Sequence, residues 1–295
     1  MVKFLIMVPV FNDWESLKRL LINIDDRIKK IKSIEVKCLI INDCSTTELN
    51  NLPKIQNIKE LKMINMLENK GHARCNAFGI RFLSTNNSID FDHLILMDSD
   101  GEDRPEELNN LIDMALENRN ISVVAKRIKR SEGFIFQLLY KFHKIMTILF
   151  TGKNINFGNY SCLTKQDVQI LSNKSSLWSS FSGSVKRHIK SYNEINSIRG
   201  LRYFGPSKMS FYKLLIHSFS ILGVFKLIVL ARTTLLFIFF LFLNITIFKS
   251  VFVYIFLFFI TIFCILVFLA STRENKSKLI DSVKNIKNIE VLLQQ

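Results

Sequence analysis

The sequence predicts an α/β domain with a mostly parallel sheet and flanking helices, followed by a C-terminal transmembrane helical hairpin. Three features point to it. Short apolar runs alternate with helix-period segments over residues 1–125, Asp and Asn clusters follow several of those runs, and two long apolar stretches fill the last third of the 295-residue chain. Strands that alternate with helices give parallel sheets with right-handed crossovers. Ligands then bind beyond the carboxyl ends of the strands.

In chain order, residues 3–8, 36–41, 61–66, 93–97 and 121–125 read as buried strands. The first run is too short for a signal-peptide core, since Pro9 interrupts it and polar Asn12-Asp13 follows. Leu17, Leu20, Leu21, Ile24, Ile28 and Ile31 recur at helical spacing and predict a helix over 14–31. Helices over 72–83 and 105–116 follow, the second opened by Pro105 at a favoured first-turn position.

Residues 233–248 are apolar apart from Asn244 and the threonines, and 227–231 extend that run back past Arg232. Residues 251–270 hold no charge. A bilayer core takes roughly 20 apolar helical residues, so residues 232–270 read as two transmembrane helices. Only Lys249 charges the turn between them, whereas Lys208, Lys213, Lys226 and Arg232 precede the pair and Arg273, Lys276 and Lys278 follow it. That asymmetry predicts a multi-pass protein of the inner (cytoplasmic) membrane with both termini and the α/β domain cytoplasmic. Residues 211–231 mix apolar side chains with Lys213, His217 and Lys226 and read as an interfacial amphipathic helix. Residues 271–295 are expected to form a cytoplasmic tail.

The formal charge is +15, from 40 Lys plus Arg against 25 Asp plus Glu, but it is unevenly placed. Residues 1–120 carry 16 basic and 19 acidic side chains, residues 121–232 carry 18 and 3, and the remainder 6 and 3. The basic segment leads straight into apolar sequence, which points to anionic membrane lipids and away from nucleic acid. Cys38, Cys44, Cys75, Cys162 and Cys264 form no C-x-x-C pair, so neither a zinc site nor a disulfide framework is suggested.

The candidate site residues lie at strand ends. Pro9-Val10-Phe11-Asn12-Asp13 follows the first strand, Asn42-Asp43-Cys44-Ser45 the second, and Asp98-Ser99-Asp100-Gly101-Glu102-Asp103 the fourth. Asp13 is equally read as a helix cap. Four carboxylates within six residues repel one another unless a cation joins them, and hard divalent ions take such oxygens together with phosphate oxygens. Asn69-Lys70-Gly71-His72 follows the third strand, where Gly71 permits a tight bend at a helix start.

These segments, in the order P-V-F-N-D, N-D-C-S, N-K-G-x-A-x-x-N and D-S-D-G-E-D-R-P-E, resemble the family 2 glycosyltransferases with the GT-A (Rossmann-like) fold. Within that family the chain is similar to membrane-attached, polyprenyl-phosphate, dolichyl-phosphate mannosyltransferase-like members. Arg202-Tyr203-Phe204-Gly205-Pro206-Ser207-Lys208 resembles their R-x-x-G-x-S-K element. The resemblance implies that Pro9, Phe11, Asp13, Asp43 and Gly71 line a nucleotide-sugar pocket, with Asp43 reaching the base. It implies that Asp98 and Asp100 form a DXD-type pair holding Mg²⁺ or Mn²⁺ against the donor diphosphate, with Glu102 as a third ligand. Asn42 stands for the usual first Asp and Asp13 for the usual Glu, which leaves UDP versus GDP open.

A hydroxyl acceptor calls for a carboxylate base, yet residues 121–232 offer only Glu132, Asp167 and Glu194, and no Q-x-x-R-W element occurs. A phosphate acceptor is already ionised and needs cations instead. Arg127, Arg130, Arg202, Ser207 and Lys208 are the candidates by position, Arg127 and Arg202 being also assigned to catalysis. His72, His188 and His217 read as structural or interfacial.

The expected function is therefore metal-dependent, inverting transfer of a sugar from a nucleotide sugar to polyprenyl (undecaprenyl-type) phosphate at the cytoplasmic face. Transfer to a hydroxyl of a lipid-linked glycan and a catalytically silent membrane scaffold are the alternatives. Residues 1–210 would form the transferase domain, with 1–125 as its nucleotide-sugar and metal half and 126–210 as its acceptor half. Homo-oligomerisation is left open.

Overall fold

The first five strands form where the apolar runs place them. A computed structural model describes residues 1–86, 88–129, 134–205 and 211–295. In chain order the elements are β1 (Val2–Val10), α1 (Trp14–Ile28), β2 (Ile34–Asn42), β3 (Glu60–Met66), α2 (His72–Thr85), β4 (His93–Leu96), a short 3-10 turn at Pro105–Glu107, α3 (Leu108–Glu117) and β5 (Ser122–Lys129). Next come α4 (Phe134–Thr151), β6 (Phe157–Thr164), α5 (Lys165–Leu171), a 3-10 turn at Ser175–Trp178, α6 (Phe181–His188) and β7 (Tyr192–Ile198). The chain ends with α7 (Phe211–Val224), α8 (Lys226–Leu243), a π turn at Asn244–Phe248, α9 (Val251–Ser271), α10 (Lys276–Asp281), a 3-10 turn at Ser282–Lys284 and β8 (Ile286–Gln294).

The eight strands form one sheet in the order β7-β5-β6-β4-β1-β2-β3-β8. Its centre is parallel, β1 pairing with β2 and β4, and β2 with β3. The antiparallel pairs are those that β6 makes with β4 and β5, and β8 with β3. Side chains alternate between faces along a strand, so β1 serves two cores. Phe4, Ile6, Val8 and Val10 pack with Leu17, Leu20, Leu21 and Ile24 of α1, whereas Leu5 and Met7 pack with Phe78 and Ile80 of α2.

Two expectations are corrected. Residues 271–295 are not a tail outside the 1–210 domain: α10 packs on α2, and β8 runs antiparallel to β3 from Glu60↔Gln294 to Met66↔Ile286. A strand added to a sheet edge is stabilised by ladder bonds and by side chains such as Leu292 and Leu293 against the core. That pairing spans more than 200 residues of sequence, which no local pattern reports. The helix expected over 211–231 instead ends at Val224, and α8 starts at Lys226. Ile221, Leu222 and Val224 of α7 are buried with Val229 of α8, Val267 of α9 and Phe150 of α4.

α8 with its π turn spans 23 residues at mean hydropathy 2.2, and only 17% of the apolar window in either long helix is buried. Core helices of soluble proteins are covered, so this exposure indicates membrane attachment. α4 shows the same inversion. At 100° per residue, Leu138, Phe142, Ile145 and Leu149 fall within roughly 60° of arc, and all four are exposed. Thr147, Phe150 and Thr151 on the opposite side are buried. Phe150 packs on Phe263 of α9 with ring centroids 4.6 Å apart, and Arg232 of α8 donates to the Leu149 carbonyl at 2.7 Å.

Candidate active site

Beyond the carboxyl ends of β1, β2 and β4 the loops enclose a cavity of about 410 Å³. Pro9, Phe11, Asp13, Asp43, Gly71, Asp98, Asp100, Glu102 and Arg202, all expected there, line it, together with His72, Arg199 and Lys213. The loops after β1 and β2 are stitched to each other. Asn12 adopts a left-handed φ of 48°, and its Oδ1 accepts from Thr46 N at 2.9 Å and Thr47 N at 3.2 Å. Its own N–H donates to Ser45 Oγ at 3.0 Å.

Asp43 is nearly fully buried and already occupied. Its two carboxylate oxygens accept from Lys70 N at 2.7 Å and Gly71 N at 2.8 Å. The expected base-reading carboxylate thus holds the bend before α2, where Gly71 takes a φ of 84°.

The acidic loop after β4 is neutralised one group at a time. His72 Nε2 donates to Asp98 Oδ1 at 2.6 Å, and the Asn159 side-chain amide lies 3.1 Å from the same nitrogen. Arg202 donates to Asp100 Oδ2 at 2.5 Å and to Asp13 Oδ2 at 2.6 Å. Arg199 pairs with Glu102, and Arg127 Nη2 lies 3.9 Å from Asp103. Asp103 in turn accepts from Asp98 N at 3.0 Å. The 199–203 segment is laid across this loop by Gly200 N to Glu102 O at 2.9 Å and Tyr203 N to Asp100 O at 2.8 Å. Gly101, at a φ of 90°, permits the approach, because a Cβ there would sit 2.8 Å from the Tyr203 ring.

This packing moves the proton affinities apart. Burial disfavours the His72 charge, but the Asp98 charge and hydrogen bond, with Asp103 and Asp100 behind, outweigh it and raise the imidazole to about 9. Burial also opposes ionisation of Asp98, yet His72, Arg127 and Arg199 hold its carboxyl below the usual range. Burial and the Asp98 charge push Asp103 up to about 7.

Two expected residues stand differently. Arg127 does not line the cavity; it lies beside Gly158 and faces Asp103 beneath the loop. Glu102 is turned to Arg199, and among the described residues no three His, Cys, Asp or Glu side chains converge at metal-binding distance. Arg130, Ser207 and Lys208 lie outside the described residues. Sequence reasoning read His72 as structural or interfacial and assigned no site role to Arg199 or Asn159. A His opening the first turn after a strand-end glycine, and an Arg three residues before Arg202, were the available signals.

Among the cavity-lining carboxylates, Asp98 and Asp100 flank Ser99 in the loop after β4 and would have to exchange their present partners, His72 and Arg202, for an ion. Hard oxygen ligands of this kind suit Mg²⁺ or Mn²⁺, which fill their remaining positions with phosphate oxygens and water. The residues present therefore fit a divalent ion that is completed by a diphosphate ligand.

The model for "Glycosyl transferase family 2" matches residues 5–181. The chain is 26% identical over 224 residues to an undecaprenyl-phosphate 4-deoxy-4-formamido-L-arabinose transferase of Proteus mirabilis, covering 72% of this chain and 64% of that one. It is also 26% identical over 164 residues to the Yersinia enterocolitica protein of the same name, covering 55% and 48%. The chain thus spans about half to two-thirds of the length of these curated relatives. Among solved structures, mannosyl-3-phosphoglycerate synthase from Rubrobacter xylanophilus matches with a TM-score of 0.53 at 10% identity, covering 76% of this chain and 72% of that one. Glucosyl-3-phosphoglycerate synthase from Mycobacterium tuberculosis, in complex with Mn²⁺, UDP-glucose and phosphoglyceric acid, matches with a TM-score of 0.51 at 11% identity, covering 78% and 79%. Likeness at such identities is a likeness of fold.

Proposed function

We propose that this chain, which belongs to glycosyl transferase family 2 and is an enzyme of that family, moves one sugar from a nucleotide sugar to a polyprenyl phosphate at the cytoplasmic membrane face, with inversion. The observation that carries the proposal is the pairing of every acidic side chain that lines the cavity. Asp13, Asp98, Asp100 and Glu102 each meet a cationic partner, and Asp43 is occupied by two backbone N–H groups. A hydroxyl acceptor needs a free carboxylate as base; an ionised phosphate acceptor does not. The acceptor named in the curated relatives, undecaprenyl phosphate, supports the same choice.

In this reading Asp98 and Asp100 would hold Mg²⁺ or Mn²⁺ in exchange for His72 and Arg202, and the bound ion would supply positive charge for the leaving diphosphate. Pro9, Phe11, Asp13, Asp43 and Gly71 line the nucleotide side of the cavity. Arg199 and Arg202 bring positive charge into the same cavity, Arg202 reaching from Asp100 to Asp13, and their planar forks suit phosphate oxygens. Before that exchange His72 positions Asp98. Even-numbered crossing by α8 and α9, with β8 returned to the same sheet as β1, supports a topology with both termini on the catalytic side.

The test supplies membranes holding the chain with labelled nucleotide sugars and undecaprenyl phosphate, with Mn²⁺ or EDTA. Metal-dependent label in a mild-acid-labile lipid, lost in Asp100→Ala, is the expected result. Label found only in a preassembled glycan would assign a hydroxyl acceptor and sink the proposal.

A further inference from the structure

A second cavity, of about 300 Å³, opens at the foot of the hairpin, where α7 gives way to α8. Lys153 enters it from the chain after α4, Lys186 and Arg187 from the last turn of α6, and Lys226 from the start of α8. Its lining contains no acidic residue. Arg187 is held by the Val224 carbonyl at 2.7 Å and faces Glu274 at 3.7 Å. Lys186 donates to Tyr192 Oη at 2.6 Å. Among the described residues, Lys153 and Lys226 have no carboxylate within ion-pair distance.

Four positive charges gathered around one small cavity repel, and an anion seated among them relieves that repulsion. The rim decides what kind of anion. Leu227 and Ile228 line the same cavity and are exposed, and they lead into the uncovered apolar surface of α8 at Leu235 and Ile238. A cationic cup opening onto lipid-facing surface suits a phosphate that carries a hydrocarbon chain.

We propose that this cup binds the phosphate group of a membrane lipid. The same chemistry is offered by an anionic phospholipid and by a polyprenyl phosphate. The inference rests on membrane attachment and not on the donor site, so lipid binding decides it whether or not sugar transfer is found.

The full-length protein in neutral detergent is titrated with phosphatidylglycerol, undecaprenyl phosphate and phosphatidylcholine, and bound lipid is read by native mass spectrometry. One phosphate-bearing anionic lipid per chain is expected, with phosphatidylcholine unable to displace it. Removing two of the lysine charges in Lys153→Gln/Lys226→Gln is expected to weaken that binding about tenfold or more. Lys153→Arg/Lys226→Arg restores it, and an unchanged lipid-free melting midpoint shows that the Gln variant folds. Displacement of phosphatidylglycerol by undecaprenyl phosphate, with a raised acceptor KM in the Gln variant, identifies the polyprenyl source. Retention of phosphatidylglycerol against undecaprenyl phosphate identifies a structural phospholipid. Equal binding of phosphatidylglycerol and phosphatidylcholine, or no loss in the Gln variant, overturns the proposal.

Discussion

Arg202 donates to Asp100 at 2.5 Å across 102 residues of sequence, and its other terminal nitrogen reaches Asp13 at 2.6 Å. One planar fork thus ties the loop after β1 to the loop after β4. A lysine offers a single point charge and cannot span both. Arg202→Lys is expected to lower kcat/KM about tenfold and Arg202→Ala about a hundredfold. Leaving two partly buried carboxylates uncompensated is also expected to cost roughly 3 kcal/mol of stability in the alanine variant. Steady-state turnover and denaturant unfolding check the two parts separately.

In the proposed function Asp98 and Asp100 would supply two ligands, while Glu102 is engaged with Arg199. Mn²⁺ is therefore expected to bind the protein alone weakly and to bind markedly tighter once a nucleoside diphosphate supplies further oxygens. Titration of free Mn²⁺ by electron paramagnetic resonance, with and without UDP or GDP, measures this directly. Equal Mn²⁺ affinity in both conditions would show a protein-only site.

β8 reaches the loop after β2 through side chains. Asn42 donates to Asn65 at 2.7 Å, Asn65 donates to Glu290 at 2.8 Å, and Asn42 Oδ1 accepts from Ser45 N at 3.0 Å. Glu290→Ala is expected to raise the donor KM several-fold with little change in kcat, and Glu290→Gln to restore most of it. Ending the chain at residue 285 uncovers the β3 edge and is expected to destabilise the sheet or cause aggregation, read by thermal unfolding and light scattering.

The outward face of α4 is apolar where a soluble helix is polar. Phe142→Trp is expected to be quenched by lipids brominated in the acyl chain, whereas the native Trp14 and Trp178, both buried in the catalytic domain, remain unquenched. Quenching by an aqueous agent instead would place α4 in water.

His188 gives a pH dependence remote from the site. Burial, then the Arg187 and Lys174 charges, lowers it to about 4. Between its unfolded value near 6.5 and about 4, the unfolded chain binds the extra proton, so stability falls on acidification through that window. The drop in melting midpoint from pH 7 to pH 5 is expected to be smaller in His188→Gln.

Local chemistry made much of this protein legible. The continuous apolar run of β1, buried on both faces, the helix spacing of Leu17 to Ile28 and the uncharged length of 251–270 are decided within a few residues of sequence. The strand-end positions of Asp13, Asp43, Asp98 and Asp100 follow from where those apolar runs stop. Tertiary structure decided which charges meet. Arg127 was drawn to buried Asp103, and Arg202 to Asp13 and Asp100, because a buried charge must find a partner wherever the fold supplies one. The same applies to the last strand. Whether residues 286–294 pair with β3 or hang free depends on where a membrane hairpin returns the chain, and no pattern inside those nine residues contains that information. The sequence by itself determined the elements and the chemistry they carry; three-dimensional packing, through long-range ion pairs and one edge strand, decided which of those groups share a site.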